Sequence, residues 1–219
     1  MAHLLRIDSS PRGDRSVSRS LTQYFVGEWQ SKYSDDTVTY RDIGHNPPPF
    51  VTENYIAASF SDPSSHTPEQ AEAIRPSNEL VDEFLAADYY VIGVPMYNFG
   101  VPAVFKAYID QIVRVGRTFA IDEQGYKGLV HGKKLLAIVS QGRIYAEGSP
   151  AQSYDMQVPY LKLIFGFMGI MDVTVVAADN LMGGDDAREQ SLAAAKAALQ
   201  NVIVQWSAND SCLGVILRL

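Results

Sequence analysis

Three short stretches carry groups suited to holding one flat, phosphate-bearing ligand. The first is Ser9-Ser10-Pro11-Arg12-Gly13-Asp14-Arg15-Ser16-Val17-Ser18, a hydroxyl-rich loop ahead of a helix-like run. A helix N-terminus presents unpaired N–H groups and the positive end of the macrodipole, and so attracts phosphate. Ser10, Ser16 and Ser18 add hydroxyl donors, and Val17 a backbone N–H. The loop is neither G-x-x-x-x-G-K-[ST] nor G-x-G-x-x-G. On this loop alone, plain N-capping by serine is an equal alternative. Arg12 and Arg15 read as solvated, because such a loop binds through its backbone.

The second stretch is Met96 to Phe99, at the head of PMYNFGVPAVFKAYIDQIVRVG (95–116). Backbone groups there can read a heterocycle's edge, Asn98 offers both a donor and an acceptor, and Tyr97 and Phe99 supply apolar walls. Standing alone, the two aromatics read as core. The third stretch is Ser140-Gln141-Gly142-Arg143-Ile144-Tyr145. Gly142 lets the backbone approach closely. Tyr145 is a candidate proton or hydrogen-bond donor, with a packing wall as the alternative.

Each stretch needs a rigid element behind it. HLLRID (3–8), VTYRD (38–42), ADYYVIGV (87–94), KLLAIVS (134–140) and DVTVVAA (172–178) read as strands from their short apolar or β-rich runs. Helical patterns fill 16–33, 68–86, 101–115, 155–168 and 185–206. Thr67-Pro68-Glu69-Gln70 is a clean helix start, with a break allowed near Pro76. Residues 44–67 read as a long loop with room for a short helix at 54–60, and 118–129 as a small hairpin outside the main sheet. Strands alternating with helices predict an α/β protein with a parallel sheet covered on both faces. The common five-stranded, flavodoxin-like order is 2-1-3-4-5. It brings the three stretches together beyond the carboxyl ends of their strands, where ligands bind in such sheets.

The bulk numbers narrow the function. The chain has 219 residues, 47% of them hydrophobic, which suits one domain; we draw it as 1–207 with a C-terminal tail at 208–219. A net charge of -7 argues against nucleic-acid binding. One cysteine, Cys212, allows no internal disulfide and fits a reducing cytoplasm. The N-terminus lacks a signal-peptide pattern, and no apolar run is long enough for a membrane span. His3, His45, His66 and His131 are dispersed, so no metal is expected.

SSPRGDRSVS, PMYNFGVPAVFKAYIDQIVRVG, HGKK and SQGRIY together resemble the FMN-dependent NADH-azoreductase family of flavodoxin-like quinone reductases, over most of residues 3 to 206. The resemblance implies an FMN-binding homodimer that uses NADH or NADPH to reduce quinones and azo compounds by two electrons, in a ping-pong mechanism. It implies that Ser10 and Ser16 to Ser18 hold the phosphate, and that Met96, Tyr97, Asn98 and Phe99 surround the isoalloxazine. Ser140, Gln141, Gly142 and Arg143 would close the third side. Hydride would pass through the flavin N5, so no side chain is required as acid or base. The family shows S-R-G-G where this chain has Ser140-Gln141-Gly142-Arg143, which puts a cation in place of a glycine beside the flavin. The helix after Phe99, with Val101, Phe105, Tyr108, Ile109 and Ile112, is the expected dimer face. Two other readings stay open: a flavodoxin-like electron carrier, and a flavin-binding or flavin-free regulatory protein on the same fold.

Overall fold

A parallel sheet organises the molecule. The computed structural model describes the backbone of residues 1–216 and the side chains of residues 1–207. Its strands are β1 (His3–Asp8), β2 (Thr37–Asp42), β3 (Tyr89–Pro95), β6 (Lys134–Ser140) and β7 (Asp172–Ala178), in the order β2-β1-β3-β6-β7. All four pairings are parallel. Strands β4 (Phe119–Asp122) and β5 (Gly125–Gly128) form a separate antiparallel hairpin. Counting main-sheet strands alone, the order is the expected one; the hairpin shifts the numbers of the last two.

The faces follow from alternation along the strands. Tyr90, Ile92 and Val94 of β3 point to one side, where α3 (Pro68–Ala86), α4 (Ala103–Ile112) and α5 (Gln157–Met168) cover them with Phe84, Phe105, Tyr108 and Phe165. Tyr89 and Val91 point to the other side, under α1 (Val17–Lys32) and α6 (Asp185–Ile216) with Phe25, Trp29, Leu199 and Trp206. Every residue of β3 is buried, as expected for a strand covered on both faces.

Local chemistry sets the helix ends. Thr67 and Gln70 form a reciprocal capping box with Pro68 in the first turn of α3. Replacing Thr67 with alanine should cost ~1 kcal/mol, read as a lower urea midpoint with an unchanged slope. Pro76 lies inside α3 without ending it. The carbonyl it leaves unpaired belongs to Glu72, on the exposed side of the helix. The 44–67 stretch contains α2 (Glu53–Ser59), capped by Thr52.

Two expectations need correction. Phe105, Tyr108, Ile109 and Ile112 are at most 2% exposed, filling the core instead of offering a dimer face. The amphipathic stripe of α4 faces its own sheet, and a stripe alone does not say which surface it meets. The last helix also continues past the end read at 206, because no helix breaker intervenes before Gly214. The apolar LGVIL tail lies outside the residues whose side chains are described.

Candidate functional site

The carboxyl ends of β1, β3 and β6 open into a cleft of about 270 Å3. Ser10, Arg12, Ser16 and Val17 line it from the first loop, Arg12 being exposed at its edge and not simply solvated as expected, and Pro95, Met96 and Tyr97 from the second. Ser140, Gln141 and Gly142 line it from the third.

The first loop ends on a capped helix. Ser16 is the N-cap of α1, its hydroxyl accepting from the Arg19 amide at 3.4 Å. The amides of Val17 and Ser18 have no acceptor among the described residues, although Ser18 is fully buried. Orphan donors at a helix start are usually met by water or a ligand. The Ser18 hydroxyl sits 3.2 Å from that of Ser16, within the wall and not on the cleft surface.

A buried polar network fixes this loop from behind. Arg19 Nε donates to the Ser10 carbonyl at 2.7 Å. Its guanidinium also pairs with the Asp42 carboxylate and donates to the Tyr40 hydroxyl. The His45 amide and ring meet Asp42 at 3.1 and 2.8 Å. Burial raises the Asp42 carboxyl, but the hydrogen bonds from Arg19 and His45 outweigh it and hold it below the usual carboxylate range. Asp8, fully buried beside Arg6 and Thr22, goes the other way: burial dominates and raises its pKa. Gly44 packs so closely that a Cβ there would lie 2.3 Å from the Ser10 oxygen.

The second loop is a tight reversal. Tyr97 and Gly100 exchange backbone hydrogen bonds of 3.0 Å, with Asn98 and Phe99 both at positive φ (49° and 69°). This is a type I′ turn with a bulky residue where glycine is preferred. Such strain costs of order 1–3 kcal/mol and clusters at functional sites. The turn is braced by Met96 N–H on the Ser140 carbonyl (2.9 Å) and Met156 N–H on the Phe99 carbonyl (3.0 Å). Asn98 and Phe99 are exposed and stand outside the cleft lining, with the Phe99 ring 5.2 Å from that of Tyr154.

The third loop is held more firmly than its sequence suggests. The Gln141 side chain turns inward to Gln157, which in turn donates to the Val94 carbonyl. Arg143 is exposed and does not line the cleft. Tyr145 is buried, edge-on to Phe99 at 6.5 Å. It borders a neighbouring hollow with Glu147 and Asp155, not this cleft.

A fourth segment completes the site, and the sequence reading missed it. Leu181 and Met182 follow β7, and Arg188 lies in the first turn of α6; all three line the cleft. Leu181 and Met182 donate their amides to the carbonyls of Gln141 and Gly142. A Cβ on Gly142 would lie 2.9 Å from the Met182 sulfur. The missed signal was topological: β7 neighbours β6, so the turn after β7 must adjoin the third loop.

A family model described as flavodoxin-like fold matches residues 2–203. An FMN-dependent NADH:quinone oxidoreductase of Trichormus variabilis is 58% identical over 207 residues, covering 94% of this chain and all of that protein. The chain belongs to the FMN-dependent NADH:quinone oxidoreductase family. Among solved structures, an azoreductase of Bacillus anthracis superposes on this quinone oxidoreductase family member with a TM-score of 0.86. It shares 29% identity and covers 93% of this chain and 99% of its own. An FMN-dependent NADH-azoreductase of the same species, solved in complex with FMN, gives 0.83 at 25% identity, with 93% and all of the two chains covered.

Proposed function

We propose that this protein binds FMN in the cleft and uses NADH to reduce quinones, and to cleave azo compounds, in two-electron steps. The observation that carries the reading is the unsatisfied amide of Val17, which lines a cleft walled by Met96 and Tyr97, with that of Ser18 just behind it. The residues suit the cofactor chemically: donors without acceptors meet a phosphate, and an apolar strand-end loop meets a flat ring. When bound, FMN supplies the hydride-accepting and hydride-donating chemistry.

The chain's own residues bind and orient. Ser16 and the start of α1 hold the phosphate end. Ser10 is held in register by Arg19. Met96 and Tyr97 form the ring-side wall, and the turn that follows them is propped by the edge of Tyr145 against Phe99. Tyr145 acts as that prop, and protons come from solvent at the open mouth. We extend the proposal to a homodimer. Phe99, Tyr154 and Met156 are 46%, 56% and 61% exposed beside the cleft, and grouped apolar exposure of this kind marks interaction surfaces. No helix among the described residues is long and apolar enough to cross a membrane. The acidic charge and lone cysteine support a cytoplasmic enzyme.

The test is anaerobic. Protein reconstituted with FMN should lose its visible flavin absorbance on adding NADH and regain it on adding a quinone. Parallel initial-rate lines should reveal the ping-pong order. Failure of NADH and NADPH alike to bleach the bound flavin would point to an electron carrier. Failure to bind FMN would reject the reading altogether.

A further inference from the structure

Arg188 is an arginine in the wrong place for its helix. It lies in the first turn of α6, its amide closing that turn on the Gly184 carbonyl at 3.0 Å. The dipole there favours acids, and Asp185 and Asp186 follow the rule. Arg188 breaks it, and makes no ion pair or side-chain hydrogen bond among the described residues. Its exposed neighbours Asp185 and Glu189 share a shallow outer hollow with it but form no ion pair with it, and they do not line the cleft. A half-buried cation left unpaired on a chain of net charge -7 violates a local rule, and such violations gather at functional sites.

Its surroundings identify the missing anion. Helices α1 and α6 lie side by side on one sheet face, with Phe25 against Trp206 at 5.7 Å and Lys196 over the Tyr24 ring at 5.4 Å. Both follow a strand of the same parallel sheet, so both begin at its carboxyl edge. Arg188 therefore lines the same cleft as Ser10, Ser16 and Val17, and the Val17 amide there lacks an acceptor among the described residues. Resting on the FMN reading above, we propose that Arg188 is a ligand of the flavin 5′-phosphate and makes the site select FMN over unphosphorylated flavin. A guanidinium presents a fork of donors matched to phosphate oxygens and keeps its charge at every working pH. The loop's own cation at the cleft, Arg12, is exposed, so the half-buried Arg188 is the better-shielded counter-charge for a dianion.

Titrations of apoprotein with FMN and with riboflavin, followed by fluorescence quenching, test this. Arg188→Gln keeps helix propensity. It should weaken FMN about tenfold, leave riboflavin unchanged, and flatten the salt dependence of FMN binding. Arg188→Lys should recover part of the loss. Lys196→Gln, which removes a charge from the same helix away from the cleft, should change neither affinity. Equal FMN affinity in wild type and Arg188→Gln overturns the assignment, as does an equal loss in Lys196→Gln, which would indicate only a general field. A change confined to the KM of NADH or NADPH also overturns it, placing the guanidinium on the dinucleotide phosphates instead. Wild-type protein that binds neither flavin would sink the functional reading itself, a separate outcome.

Discussion

Gly44→Ala should cost about 3 kcal/mol of stability and weaken FMN binding at least about tenfold. The new methyl would sit 2.3 Å from the Ser10 oxygen, 2.6 Å from its carbonyl carbon and 2.7 Å from an Arg19 nitrogen. Two of those atoms are backbone, and neither side can yield easily. The Ser10 carbonyl accepts from Arg19 at 2.7 Å, while the Gly44 amide donates to the Asp8 carbonyl at 3.1 Å. Relief must therefore come from moving the phosphate-side loop, the part that the proposed cofactor needs in place. Urea unfolding of the apoprotein would read the first effect and a fluorescence titration with FMN the second. A variant unchanged in both would show that the loop floats freely over Gly44 and that its close approach serves no purpose.

The second large effect is expected from Arg19→Leu. Arg19 and Asp42 expose only 9% and 17% of their side chains, so removing the cation strands a mostly buried carboxylate. Breaking a buried pair from one side typically costs 3–5 kcal/mol, and about 3 is expected here because His45 still reaches Asp42. The Ser10 carbonyl loses its donor at the same time, so FMN affinity should fall as well. Arg19→Lys should restore less than half of either loss, since a point charge cannot serve Ser10, Tyr40 and Asp42 together.

The pH dependence has a definite sign. The folded Asp42 carboxyl is depressed below its usual value of 3.8, so its contribution is present above that value and is lost as pH falls through the folded pKa. The wild-type advantage over Arg19→Leu should therefore be steady from about pH 7 to about pH 5 and shrink below about pH 4. Urea midpoints of both proteins across that range would measure it. A gap that widens in acid would contradict the assigned direction for Asp42.

Much of the site was legible because α/β topology does the assembling. A strand, a turn and a helix were readable at Asp8–Ser18 and at Val94–Ala103, and a strand with its turn at Ser140–Tyr145, and a parallel order then brings the three turns to one edge. The same logic extended to β7 would have found Met182 and Arg188. Without a resemblance to follow, that turn offered no chemical label beyond two glycines. Side-chain direction was less legible. Tyr145 was left open between a donor and a packing wall, and it packs beneath Phe99; Gln141 lines the cleft while its side chain turns toward Gln157.

The sequence by itself determined the alternation of strands and helices, the burial of β3 on both faces, and the capped start of α3. These depend on periodicity and on neighbours within a few residues, which a chain carries locally. Only the tertiary structure decided that the α4 stripe is core, because a stripe does not name its partner. It alone brought Asp42, Gly44 and His45 of the β2 end behind Ser10, residues 32 to 35 positions away. It alone set Arg188 across the cleft from Ser10, 178 positions earlier in the chain. Contacts at such separations are made by sheet order and helix packing, which no local pattern encodes.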